Sequence, residues 1–328
     1  MKLILLLILF VFLHSISACT DEQDVRVLKL GHGLDASHSV HLAMELMAEQ
    51  VAEESQGRMR IDIYPSQQLG SERELLELLQ IGSVDITKVS SSVIEGFEPV
   101  YKIFSVPFLF EYEEHRFKLF DGQIGRELLE AGENIRLMGL TYYDAGTRSF
   151  YIKDRPIHHP DDLQGLKIRV QESPASIQMV NMLGGSATPI SWGELYTALQ
   201  QGIVDGAENN PPSFHLSRHY EVTNYYSLNE HTAVPDILFI SLQTWKRLND
   251  QERDIIQNAA EKSAIYQREL WKEATKTAMK SVEEAGIEIN YPDKEPFIER
   301  LLPMYEQYAE EDDRLKQYIE QIQELANE

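Results

Sequence analysis

Cysteine occurs once in the 328 residues, at Cys19. A lone cysteine has no partner for an intrachain disulfide, and it leaves the rest of the chain without a thiol nucleophile. Positive charge is also scarce: 30 Lys and Arg stand against 53 Asp and Glu, a formal net charge of −23. That balance argues against nucleic acid as a partner, because phosphate backbones are held by concentrated lysine and arginine. The sequence has no Gly-x-Ser-x-Gly elbow, no His-Glu-x-x-His helix and no phosphate-cradling glycine loop. Nothing in it calls for a cofactor. No low-complexity linker separates domains, and beyond Leu13 no apolar run approaches membrane length.

What is there begins with "MKLILLLILFVFLHSISA". Lys2, the apolar run Leu3 to Leu13 and the small residues before Cys19 make 1–18 a secretory signal segment, too short and wrongly flanked for a membrane span. Ile16-Ser17-Ala18-Cys19 resembles a bacterial lipobox, in which the cysteine is acylated; ordinary cleavage beside an incidental cysteine is the alternative. The mature chain is therefore expected to be extracytoplasmic, touching a membrane only through a lipid on Cys19. In so acidic a chain, an anionic ligand needs arginine concentrated in the pocket itself, since fields are screened beyond about 8 Å at physiological salt.

The hydrophobic pattern reads as an α/β protein written twice. From Val25 the order is strand, helix with Ser37 as its N-cap, strand "MRIDIYP", helix "SERELLELLQIG" and strand "VDITKVS". The grammar returns as "LKIRVQ", "SPASIQMVNMLGG", "SATPIS", "WGELYTALQQG" and "VDGAEN". Even the phrase Leu-Gln-x-Gly-x-Val-Asp recurs, carrying Gln80 onto Gln200 and Asp85 onto Asp205, with Gly82 and Gly202 expected to end helices in the left-handed conformation. Ile135 to Lys153 and "VPDILFIS" are candidate crossings between two sheets. Asn249-Asp250 caps a helix running to about Ala285, which at 1.5 Å per residue reaches roughly 50 Å and should lie across both units. The acidic C-terminal stretch reads as a solvated helical ending.

Three pieces could carry binding chemistry. In "LKIRV", Lys167 and Arg169 share one strand face, which is either simply exposed or turned to a cleft. Arg148, in "AGTRSFY", follows the Gly146 crossing; a planar guanidinium gripping a carboxylate through two parallel hydrogen bonds is a chemical reason for arginine there. Asn209 and Asn210 end a strand before Pro211-Pro212, where open α/β sheets bind ligands, although a turn that merely favours asparagine fits the same residues. His38, His41 and Glu45 imitate a helical metal set, but a helix-start histidine with solvated partners explains them as well.

With these residues in view, the chain resembles the solute-binding proteins of tripartite ATP-independent periplasmic (TRAP) transporters, the DctP-type family. The likeness runs from about Val25 to the C-terminal helices and is most specific in "YPSQQLGSERELLELLQIGSVD", "SVPFLF", "LQGLKIRVQESP" and "GGSATPISWGELYTALQQGIVDGAENNPPS". The resemblance implies a two-lobed periplasmic-binding-protein fold with hinge strands and a long helix spanning both lobes. The expected boundaries are 25–146 with 235–274 for the first lobe and 147–234 with 275–328 for the second. The family's carboxylate-binding arginine falls on Arg169, its second basic residue on Arg148 and its amide on Asn209. "GHGLDASHSVH", "GSERE", "KVSSS" and "NEHTAVP" resemble a subgroup that takes sugar acids such as glucuronate and galacturonate. By that likeness His38, Glu72, Ser90 and Ser91 face ligand hydroxyls, Lys88 adds charge, and His231 sits near the cleft.

The implied function is capture of a hexuronate and its delivery to the small and large membrane subunits of a TRAP permease. Other organic acids (C4-dicarboxylate, aldonate, sialic acid) remain alternatives within that role. The lack of any metal or nucleophile set stands against an extracytoplasmic uronate lyase that would use His38 or His231 as base, with arginines neutralising the carboxylate. A structural or adhesive role predicts no small-molecule ligand.

Overall fold

The computed structural model describes residues 25–326, so the signal segment and Cys19 lie outside the described residues. The first unit folds as read. Strand β1 (Arg26–Gly31) pairs in parallel with β2 (Met59–Tyr64) across helix α1 (Ser39–Glu54), and helix α2 (Glu72–Gln80) returns the chain to β3 (Ile86–Ser90) on the other side of β1. The N-cap of α1 is one residue later than expected. His38 Nδ1 accepts from the Val40 N–H at 3.2 Å, because the Asp35 carboxylate already holds both the Ser37 amide and its hydroxyl.

The chain then crosses. Strand β4 (Leu137–Tyr143) belongs to the first sheet and β5 (Arg148–Ile152) to the second. The second unit repeats the first pattern: β6 (Lys167–Val170), helix α3 (Pro174–Met182), β7 (Ser186–Pro189), helix α4 (Leu195–Gln200) and β8 (Gly206–Asn209), with β6 parallel to both β7 and β8. Strand β9 (Tyr225–Thr232) stays in the second sheet, and three residues later β10 (Asp236–Ser241) is back in the first, wholly buried between β3 and β4. With β11 (Glu288–Asn290) the two sheets read β2-β1-β3-β10-β4 and β11-β9-β5-β8-β6-β7. Two crossing segments, 144–147 and 233–235, thus join two α/β lobes.

Helix α5 (Asp250–Glu284) is 35 residues long, about 52 Å at 1.5 Å per residue. Asn249 and Glu252 close its N-terminus as a capping box. Its first half, through Ile255, Ile256, Ala259, Ala260 and Ala264, packs into the first lobe's outer core with Val40, Met44 and Met47. Further along, Val282 joins the second lobe's outer core with Tyr151, Phe214 and Tyr226. Midway, Gln267 brackets the first crossing: its Oε1 accepts from the Asp144 N–H at 2.9 Å and its Nε2 donates to the Asp144 carbonyl at 2.8 Å.

Two helices complete the chain, α6 (Glu295–Glu311) and α7 (Asp313–Leu325). They are more than a solvated ending. Phe297, Leu301, Met304 and Tyr308 of α6 and Leu315, Ile319 and Ile322 of α7 enter a third core that runs without a break from Leu75 and Phe104 to Ile168 and Met179. The expected boundaries placed all of 275–328 with the second lobe, yet α7 packs on Pro99–Ser105 and Glu113–Asp121, first-lobe elements. Each buried aliphatic or aromatic side chain contributes about 1.5–3 kcal/mol, so an apolar stripe of three outweighs the acidic charge on the helix's other face.

The repeated phrase is a joint in both lobes. Gly82 and Gly202 each have φ +71°, just beyond α2 and α4. Asp85 Oδ2 accepts from the Lys29 N–H of β1 at 2.9 Å, and Asp205 Oδ2 accepts from the Lys167 N–H of β6 at 2.7 Å. The chain writes it twice because each lobe must stop a helix and stitch the next strand to its neighbour.

Candidate functional site

The parallel strands of both lobes end at one shared cavity, as open α/β sheets place their sites at strand carboxyl ends. The first lobe contributes Gly33, Leu34, His38, Gln67, Glu72, Lys88, Ser90 and the hinge-side Asp236. The second contributes Arg148, Arg169, Gln171, Glu172, Trp192, Asn209 and Asn210, and Trp271 of α5 completes the wall.

On the second lobe, Arg169 is the penultimate residue of strand β6 and is 2% exposed. Its Nε donates to the Ile190 carbonyl at 2.8 Å and its guanidinium lies 5.8 Å from the Trp192 ring centre. Nη1 is buried with no hydrogen-bond partner, and among the described residues no carboxylate lies within ion-pair distance of this side chain. Burial lowers the Arg169 guanidinium from its ordinary value, but arginine keeps its proton. The pocket thus holds a buried cation without a counter-ion.

Arg148 is different. Its Nη2 donates to Glu208 Oε1 at 2.9 Å and to the Glu208 carbonyl at 2.8 Å, its Nε to Glu208 Oε2, and its Nη1 to Asn209 Oδ1 at 2.9 Å. One Nη1 hydrogen is left for a ligand. Burial alone would raise the Glu208 carboxyl, but Arg148 and, after it, His231 outweigh burial and bring Glu208 down to about 2. Because Asn209 Oδ1 accepts from both Arg148 and the Asn210 N–H, its amide nitrogen is the group left to face the cavity. Asn210 spends its Oδ1 on the Ser213 N–H as the cap of the following helix.

On the first lobe, Glu72 opens α2 behind the Ser71 capping box, and its Oε1 accepts from Lys88 Nζ at 2.9 Å and from the Ser90 N–H at 3.3 Å. Lys88 Nζ also meets Asp236 Oδ1 at 2.9 Å. Burial works against the Lys88 ammonium, yet Asp236 and Glu72 hold it above its usual value. Burial likewise pushes the Asp236 carboxyl up, against the pull of Lys88. His38 is brought down to about 3, chiefly by burial and then by Lys88, so its imidazole is neutral. Since Nδ1 accepts a backbone N–H, the proton resides on Nε2, which is buried without a protein partner. His38 therefore offers one fixed donor.

Of the residues singled out in the sequence, Arg169, Arg148, Asn209, Asn210, His38, Glu72, Lys88 and Ser90 line the cavity. Two do not. Ser91 is wholly buried at the start of the next helical turn, its N–H on the Pro235 carbonyl. His231 lies behind the cavity wall, stacked on Phe150 at 4.5 Å, with Nδ1 on Asn229 and Nε2 3.6 Å from Glu208. The strand alternation that brings Arg148 forward turns its neighbours back into the core. The metal-like trio also resolves: His41 bonds to His32 at 2.9 Å and to Glu45 at 3.2 Å, and no group of three metal-ligating residues converges among the described residues.

Sequence reasoning missed Glu208, Asp236, Gln67, Trp192 and Trp271. For Glu208 and Asp236 a signal existed: each is an acid inside an otherwise apolar strand, "GAEN" and "DILFIS". Burying a carboxylate demands a cation beside it.

The pattern of bacterial extracellular solute-binding protein family 7 (DctP) matches residues 30–312. A solute-binding protein of Chromohalobacter salexigens is 36% identical over 86% of this chain and 84% of its own. A TRAP periplasmic solute-binding protein of Anaerococcus prevotii with bound α/β D-glucuronate superposes with a TM-score of 0.90 at 36% identity, covering 92% of this chain and 98% of that one. One from Xanthobacter autotrophicus with bound β-D-galacturonate gives 0.88 at 35%, covering 90% and 99%. With two lobes, a shared cavity between them and a match across most of its length, the chain belongs to the bacterial extracellular solute-binding proteins of family 7.

Proposed function

We propose that this protein captures a hexuronate outside the cytoplasm and hands it, chemically unchanged, to the membrane subunits of a TRAP permease. The observation that carries this reading is Arg169. A buried charge without a partner costs several kcal/mol, and a ligand carboxylate laid against Nη1 and Nη2 removes that cost. Arg148 adds its last N–H, and the Asn209 amide a further donor. Opposite, Glu72, Lys88, Asp236, Ser90 and His38 supply the alternating acceptors and donors that ring hydroxyls require. Relatives holding glucuronate and galacturonate support the choice of sugar acid.

Because the cavity draws on both lobes, ligand contacts favour the closed arrangement over the open one, and closure is a population shift about segments 144–147 and 233–235. We take the lobes as 25–146 with 235–274, and 147–234 with 275–312, and assign α7 to the first. In the same reading Cys19 is acylated and tethers the protein to a membrane. Intact mass of the exported protein tests the tether, since an unmodified Cys19 thiol contradicts it. The function is tested by thermal shift with uronates, aldonates, C4-dicarboxylates and sialic acid. Stabilisation by glucuronate or galacturonate above the rest is expected; none by either contradicts the proposal.

A further inference from the structure

The charges around the cavity divide unevenly. Arg148 is neutralised by Glu208 behind it, through two bonds to the same carboxylate. Lys88 is shared by two acids, Glu72 and Asp236, each 2.9 Å from Nζ. Glu172, half-buried on the second-lobe wall, adds another negative charge. His38 is neutral. Arg169 is therefore the one cation around the cavity without an acid against it, among the described residues. The end of the cavity built from Lys88, Glu72 and Asp236 sets two acidic side chains against one ammonium.

We infer that the Lys88–Glu72–Asp236 cluster is a charge filter: it admits sugar acids with one carboxylate and rejects the dicarboxylates formed when the far end of the same carbon chain is oxidised. The inference deepens the proposed function and rests on it. A monoanion matches the single unpaired arginine, and its distal hydroxyls can donate to Glu72 or Asp236 and accept from Lys88. A second carboxylate at that end has no proton to give. It would lie beside two acids already sharing one ammonium, in a buried site where water cannot screen the repulsion. Lys88, whose position suits an anion contact, is thereby turned into part of an anion barrier.

The test compares D-glucuronate with D-glucarate by calorimetry on the mature protein and on Glu72→Gln and Asp236→Asn. The two ligands also differ in ring closure, but that difference is common to all three proteins and drops out of the change in affinity ratio. The wild-type protein is expected to prefer glucuronate by at least about 100-fold, as like-charge contact at a desolvated interface costs several kcal/mol. Each variant, leaving one acid for Lys88, should move the ratio about 10-fold or more toward glucarate. Glucarate binding within about threefold of glucuronate in the wild type, or an unmoved ratio in both variants, overturns the inference while leaving uronate binding intact. No glucuronate binding to the wild type overturns the functional reading and this inference together. Two independent variants, each checked for a single cooperative melting transition, guard against one failing to fold.

Discussion

The Arg148 guanidinium and the Glu208 carboxylate lie side by side under the cavity, joined from Nη2 to Oε1 at 2.9 Å and again from Nε to Oε2. The same guanidinium orients the Asn209 side chain through Nη1. In the proposed function Arg148 is thus chiefly a positioning residue, and Arg169 the charge offered to a ligand.

Glu208→Gln should destabilise the protein by about 3–5 kcal/mol, because it strands Arg148 as an uncompensated buried charge. The sign with pH follows from the depressed carboxyl. Glu208 stabilises the fold fully above its ordinary value of 4.5, and that contribution is lost as pH falls toward about 2. Urea unfolding between pH 7 and 3 should show the gap between wild type and variant shrinking as acid is added. A constant gap refutes the pairing.

His38 is neutral down to about pH 3 and carries its proton on Nε2. Uronate affinity should therefore show no histidine titration between pH 5.5 and 8 that His38→Ala abolishes. The variant itself should bind about 3- to 10-fold more weakly, the net worth of one hydrogen bond. Calorimetry across that range checks both statements.

The two left-handed glycines predict unequal penalties. At Gly202 an added Cβ meets nothing within 4 Å, so Gly202→Ala should cost only the backbone term, about 1–2 kcal/mol. At Gly82 the same Cβ runs into the amide end of the exposed Gln243 side chain, so Gly82→Ala should cost more only by what turning Gln243 aside requires. Equal melting shifts would mean that Gln243 yields freely.

Gln267 holds both the N–H and the carbonyl of Asp144 at the first crossing. Gln267→Leu leaves two buried backbone groups unpaired, for about 2–4 kcal/mol. Hydrogen exchange at residues 144–147 should quicken more than in the β1–β3 sheet. Protection unchanged at the crossing would remove α5 as its clamp.

Much of this was legible in the sequence. Period-two and period-3.6 patterns located both α/β units, the crossing at Gly146 and the helix from Asp250, since each depends on local backbone preference. Arg169 and Asn209 stood out because polar groups at the ends of apolar strands need a reason. What stayed hidden depends on contacts between distant segments. Whether Arg148 meets a ligand or Glu208 is decided by β5 lying against β8, and Lys88 gains Asp236 only because β10 returns between β3 and β4. The positions of Ser91, His231 and α7 share that origin: contacts with other segments set Ser91 and His231 behind the cavity lining and α7 against the first lobe.

The proposed function places the ligand carboxylate on Arg169, and calorimetry of Arg169→Ala with D-glucuronate and D-galacturonate tests it most directly. Loss of a buried charged partner costs about 2–5 kcal/mol, so affinity should fall from about 30-fold to several thousandfold. The unliganded variant should be no less stable than the wild type, since it loses an unpaired buried charge. Affinity within a few fold of wild type would contradict the account.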